Sequence, residues 1–187
     1  MSLDTSKQKL IAHLTNTQAK REEHGCLAQA ETILFLKEKV MPDVHAYAVR
    51  YTSTTGQQWD EAHCFLHAPH EGAGIWPTSF GFRGKTADRF VATEWEHTVH
   101  GSKPWIKLSG GEQDGYWLVY GHVITNGYDV AHVRMIPASG QMEEEEIHDG
   151  LVFLLSRCSL PMTFELYDLA HIVVGKQVWT PLSHNEE

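Results

Sequence analysis

The chain is short of cysteine, of basic charge and of long apolar runs. Its three cysteines in 187 residues (Cys26, Cys64 and Cys158) include no CxxC pair. That argues against a disulfide framework or a cysteine zinc knuckle, and an odd count fits a reducing compartment. Lys and Arg number 15 against 24 Asp and Glu, so the formal net charge is -9. The densest basic group is Arg83, Lys85 and Arg89. Phosphate-backbone binding needs a concentrated basic surface, so nucleic acid is not an expected partner. The longest apolar run, Leu151 to Leu155, is far too short for a membrane span. The N-terminus lacks the basic-then-apolar pattern of a signal peptide. These absences together predict a cytoplasmic protein with no membrane partner, and no motif demands a cofactor.

What is present is an ordinary globular composition, 42% hydrophobic and 21% charged. The length predicts one domain over 1–187, with a helical part at 1–42 and a sheet-rich part at 43–183. Residues 5–24 carry the stripe Leu10, Ile11 and Leu14 and read as a helix stopped by Gly25. Residues 26–41 read as a second helix ended by Pro42. Alternation begins at Val44 and predicts strands at 44–52, 62–66 and about 89–99. Asn126-Gly127, the preferred pair for a tight hairpin turn, predicts that 116–125 pairs with 128–136. A third helix is expected at about 142–157, with Glu143 to Glu146 at its positive end. Residues 163–180 return to strand character. The expected class is therefore α+β: an antiparallel sheet backed by two N-terminal helices and one later helix. One internal echo stands out. YDVAHVRMI at 128–136 resembles YDLAHIVVG at 167–175.

Three constellations could carry chemistry. Cys26 follows Gly25 and opens the expected second helix, whose N-terminus would favour a thiolate and offer amides to an oxyanion. His63 follows on a strand. A cysteine at a helix start followed by a histidine on a strand resembles the arrangement in papain-like and transglutaminase-like cysteine enzymes, over about residues 24–80. The resemblance implies Cys26 as catalytic nucleophile and His63 as its base, in a hydrolase or acyl transferase. Where such enzymes place an orienting acid or amide, this chain has Thr78 and Ser79. Second, His63, His67 and His70 could hold a metal on a helix, but on a strand His63 and His67 stand roughly 13 Å apart. Third, the aromatic middle offers Trp76, Phe80 and Trp95 as substrate-binding walls. Glu94 and Glu96 would share a strand face. Three readings follow: a thiol enzyme, a non-catalytic binding protein for a small apolar ligand or a protein partner, and a metal-dependent enzyme. A homo-oligomer is compatible with each.

Overall fold

The computed structural model describes residues 3–16, 19–66, 79–89, 92–113 and 115–180. The chain forms two compact units, Met1–Asp88 and Arg89–Glu187. Among the described residues no helix is long and apolar enough to cross a membrane.

The first unit opens with α1 (Leu3–Thr15) and α2 (Ala19–Glu23), then one 3₁₀ turn at Ala30–Thr32. Four strands follow in chain order: β1 (Leu34–Met41), β2 (Val44–Thr52), β3 (Gln58–Leu66) and β4 (Ser79–Lys85). They form one antiparallel meander ordered β1-β2-β3-β4. Its tight turns fall where Pro42-Asp43 and Thr54-Thr55-Gly56 suit them, Gly56 having φ +81°. Alternation sends Tyr47, Val49 and Tyr51 of β2, and Trp59 and Phe65 of β3, into one cluster with Leu10 and Leu14 of α1. Both leucines are fully buried, and each contributes about 1.5–3 kcal/mol by leaving water. They are what holds α1 on the sheet.

The short helix α3 (Thr86–Arg89) leads to the second unit: α4 (Glu94–His100), β5 (Trp105–Gln113), β6 (Tyr116–Ile124), β7 (His132–Gly140), β8 (Glu143–Glu146), β9 (Leu151–Ser156), β10 (Cys158–Tyr167) and β11 (Val173–Trp179). One sheet is ordered β5-β6-β9, the other β11-β10-β7-β8. Their inner faces share a core of Ile106, Val119, Val123, Val133, Met135, Val152, Leu154, Met162, Phe164 and Leu166. The β11 edge lies against β5: the Ile106 N–H donates to the Gln177 side chain at 2.9 Å. Gly110 faces the Trp179 ring, and Gly175 faces the Pro104 carbonyl. Two sheet edges thus cover one another, which removes a site of unwanted strand pairing.

The expected α+β arrangement is therefore replaced by a mainly β protein with short helices. The expected helix at 26–41 is a 3₁₀ turn and β1. Its stretch from Leu34 pairs with β2, with one register shift between Phe35 and Lys37, and a tight turn matches Met41 to Val44. The expected helix at 142–157 is β8 and β9. Asp149 (φ 53°) and Gly150 (φ 70°) make a left-handed break between them, and Leu151 to Leu155 is buried on both faces although β9 ends its sheet. The expected strand at 89–99 contains α4, started by Thr93 and Glu96 in a reciprocal capping box. The Asn126-Gly127 turn forms, with positive φ at both residues and Tyr128 N–H bonded to the Thr125 carbonyl. Yet β6 and β7 do not pair: β6 lies between β5 and β9, and β7 between β10 and β8. The turn carries the chain from one sheet to the other, anchored by the Asn126 amide on the carbonyls of Gly101 and Lys103.

Candidate functional site

Cys26 does not open a helix. It closes one. Cys26 N–H bonds to the Arg21 carbonyl and Gly25 N–H to the Glu22 carbonyl, both at 3.0 Å, with Gly25 at φ +63°. This is the Schellman ending of α2, with glycine in the left-handed position. The free groups at such an end are carbonyls and its dipole is negative. The amide donors expected to activate a thiolate and hold an oxyanion are at the opposite pole. The Cys26 thiol donates to the Arg21 carbonyl at 3.6 Å and accepts from the Arg83 guanidinium at 3.2 Å. Its side chain is fully buried among Leu10, Leu14, Ala28 and Tyr51.

His63 is not bonded to Cys26. Its Nε2 meets Glu61 Oε2 at 2.7 Å, so an acid two residues upstream on the same strand face orients it; Thr78 lies outside the described residues. Glu61 is the hub of the unit. Arg21 grips it with both Nη atoms, at 3.1 and 2.6 Å, and the Tyr51 hydroxyl donates to Oε1. Arg21 also donates to the Cys26 carbonyl at 3.1 Å, and the Tyr51 oxygen lies 2.9 Å from the same carbonyl. One buried carboxylate thus ties β2, β3, α2 and the chain after it. On the outer side of this network the His13 ring meets His63 edge-on, 5.6 Å between centroids. Alternation on β3 and the direct β3–β4 pairing of Glu61 with Arg83 bring these groups to one face.

The electrostatics follow the geometry. Burial by itself would raise the Glu61 carboxyl. The hydrogen bond and charge of His63, the charge of Arg21 and the Tyr51 bond outweigh it and hold Glu61 below the usual carboxylate value. Burial, then Glu61, pushes the Tyr51 phenol up. His13 is held low, first by burial and then by the charges of His63, Arg21 and Arg83, with Glu61 opposing them. Burial pushes the Cys64 thiol up to about 12.

These surroundings set an order of thiol reactivity. Half-buried Cys158 is expected to take iodoacetamide first in the folded protein, while Cys26 and Cys64, both buried, react only on unfolding. Peptide mass spectrometry over a labelling time course checks this. Labelling of Cys26 ahead of Cys158 would restore the thiol-enzyme reading.

The other expected site residues fall on separate elements. Trp95 lies on α4 in the second unit, 72% exposed. Phe80 is on β4 in the first, its backbone paired with Cys64. Trp76, His67 and His70 lie outside the described residues. Glu94 and Glu96 are on a helix, not a strand face, and Glu96 pairs with Lys107 at 3.2 Å. Among the described residues no group of three or more His, Cys, Asp or Glu could hold a metal ion.

The second unit offers a different site. Strand directions bring three loops to one end: 125–131 before β7, 147–150 before β9 and 168–172 before β11. The two copies of the Tyr-Asp-apolar-Ala-His echo lie here side by side. Tyr167 pairs with His132, the Ala131 N–H donates to the Tyr167 carbonyl at 2.8 Å, and the His132 and His171 rings stack at 4.9 Å. The 168–172 loop is fixed by its own first residue. Asp168 Oδ1 accepts from the N–H groups of Ala170 and Ile172, both at 2.9 Å, and its backbone exchanges bonds with His171 and Ile172. Leu169, at 80%, and Ile172, at 61%, are thereby held out in water. Beside them Asp129, Val130, Ala131, Glu146, Ile147 and Leu169 line a cleft of about 270 Å³. The repeated motif is a sequence signal for this end, but it does not say that the copies adjoin. Comparison with protein-family models, with curated proteins and with solved structures finds no match.

Proposed function

We propose that the protein is a non-catalytic binding protein whose loop end in the second unit holds a partner protein. The observation that carries this reading is the 168–172 loop. Two large apolar side chains are exposed on a backbone fixed by an aspartate, so little ordering entropy remains to oppose docking. The adjacent cleft falls just below the usual 300–1,000 Å³ of small-molecule sites. It suits one inserted side chain better than a wholly enclosed ligand. The three loops contain Asp129, Asp149 and Asp168 but no Lys or Arg, so the complementary partner segment is apolar and basic. The thiol-enzyme reading is weaker, because Cys26 is buried at a helix C-terminus without a histidine on its sulfur.

Selection from a displayed peptide library tests the proposal. Enriched segments are expected to place Lys or Arg beside Leu, Ile or an aromatic residue. The Leu169→Asp, Ile172→Asp double variant is expected to weaken their binding by about tenfold or more. No enrichment, or binding indifferent to both substitutions, overturns the reading.

A further inference from the structure

The first unit carries a second feature, independent of the loop end: an imbalance of charge around Glu61. Four basic side chains converge there from four elements, His13 from α1, Arg21 from α2, His63 from β3 and Arg83 from β4. Among the described residues, the other polar groups facing them are the Tyr51 hydroxyl and the Cys26 thiol. Glu61 already accepts four bonds, two from Arg21, one from Tyr51 and one from His63. Its capacity is spent on the buried side of the cluster. On the outer side, the hydrogen bond of Arg83 goes to sulfur, a weak acceptor for a guanidinium. Among the described residues, the ring of His13 meets the edge of a second imidazole rather than an acid. Both His13 and Arg83 are solvent-accessible. With the histidines protonated, four positive groups surround one carboxylate.

We propose that His13, His63 and Arg83 bind a phosphate group, either free or on a small phosphorylated molecule. The donors come from a helix and two adjacent strands, and the several oxygens of a phosphate can accept from more than one of them. The guanidinium fork of Arg83 can give two parallel bonds to such an anion. A dianion offsets most of the excess charge that one carboxylate leaves. Bound phosphate would also relieve the mutual repulsion of His13, His63 and Arg83, so binding and protonation of His13 must favour one another.

The decisive experiment tracks the His13 and His63 ring protons by NMR while inorganic phosphate replaces chloride at constant ionic strength. A saturable shift of both rings is expected, together with a rise in the titration midpoint of His13. Arg83→Gln is expected to abolish the saturable shift, and Lys103→Gln, in the second unit, to leave it intact. Should Arg83→Gln unfold the unit, His13→Gln read through His63 serves in its place, with the same expected loss. No saturable shift, an equal response to acetate, or a shift preserved without Arg83 and without His13 overturns the proposal.

Discussion

Replacing Glu61 by alanine is expected to destabilise the first unit by about 3–5 kcal/mol, because it leaves buried charge without its counterion. Arg21 and Glu61 are both almost wholly inaccessible and meet at 2.6 Å. Without the carboxylate, the Arg21 guanidinium keeps the Cys26 carbonyl and the Tyr51 hydroxyl, neither of which carries charge to offset it. The Tyr51 hydroxyl and the His63 Nε2 lose a partner in the same step. Domain stabilities are about 5–15 kcal/mol, so this loss is a large share of the total. Urea unfolding followed by circular dichroism measures it. Glu61→Gln keeps the shape and some hydrogen bonds and should fall between wild type and Glu61→Ala. A loss below about 1 kcal/mol in Glu61→Ala would show that the network is not a stabilising hub.

The same network fixes how stability depends on acid. Glu61 has a folded value below its ordinary one, so its contribution is complete above the ordinary carboxylate value and is lost as pH falls through the lowered one. His13 is also held below its ordinary 6.5. The unfolded chain therefore takes up its proton first, and His13 subtracts stability as pH falls from above 6.5 through its lowered value. Both effects have the same sign in different windows. Stability of the first unit should decline in two steps on acidification, and His13→Gln should remove the upper one. An unchanged profile between pH 7.5 and 5.5 in that variant would show that His13 is not the group responsible.

How much of the fold is legible in the sequence depends on the range of the forces involved. Alternation at 44–52 marks β2, and the turn residues around Pro42 and Gly56 fall where chain reversals occur, because both signals are local. Asn126-Gly127 also acts locally and makes a tight turn. The path of the chain beyond a turn is decided by partners distant in sequence, here β5 and β9 for β6, and β10 and β8 for β7. The 142–157 segment shows the same limit. Ile147, Leu151, Leu154 and Leu155 fit a helical stripe, yet Leu151 to Leu155 is apolar on every side, and the left-handed Asp149-Gly150 pair ends any helix. Cys26 sits at a helix end rather than a helix start because Gly25 can stop one helix without starting another. The candidate site is partly legible too. Alternation alone puts Glu61 and His63 on one strand face, a signal for the orienting acid that a search downstream of His63 does not reach.

Gly175→Ala is expected to destabilise the second unit by about 1–3 kcal/mol, through sterics alone. Gly175 is buried and lacks the positive φ of seven other glycines among the described residues, so its backbone tolerates any residue. A Cβ there would overlap the Pro104 carbonyl oxygen and come within 3.1 Å of the Pro104 ring and 3.2 Å of Leu166 Cδ1. Pro104 cannot readily withdraw. The Asn126 amide holds the flanking carbonyls of Gly101 and Lys103, at 3.3 and 2.8 Å. Trp105 is stacked on His100 at 4.0 Å, and the Ile106 N–H is held by Gln177, two residues beyond Gly175. The added methyl must therefore push β11 away from β5, opening the contact that covers both edges. Gly127→Ala is the informative contrast. Gly127 has φ +86°, and a methyl group added there would have nothing within 4 Å, so its cost is backbone strain of about 1 kcal/mol. Each kcal/mol lowers the melting temperature by about 2–4 °C in a chain of this size. Gly175→Ala melting no lower than Gly127→Ala would mean that β11 is free to move off β5, and that the two sheets do not cover each other's edges in solution.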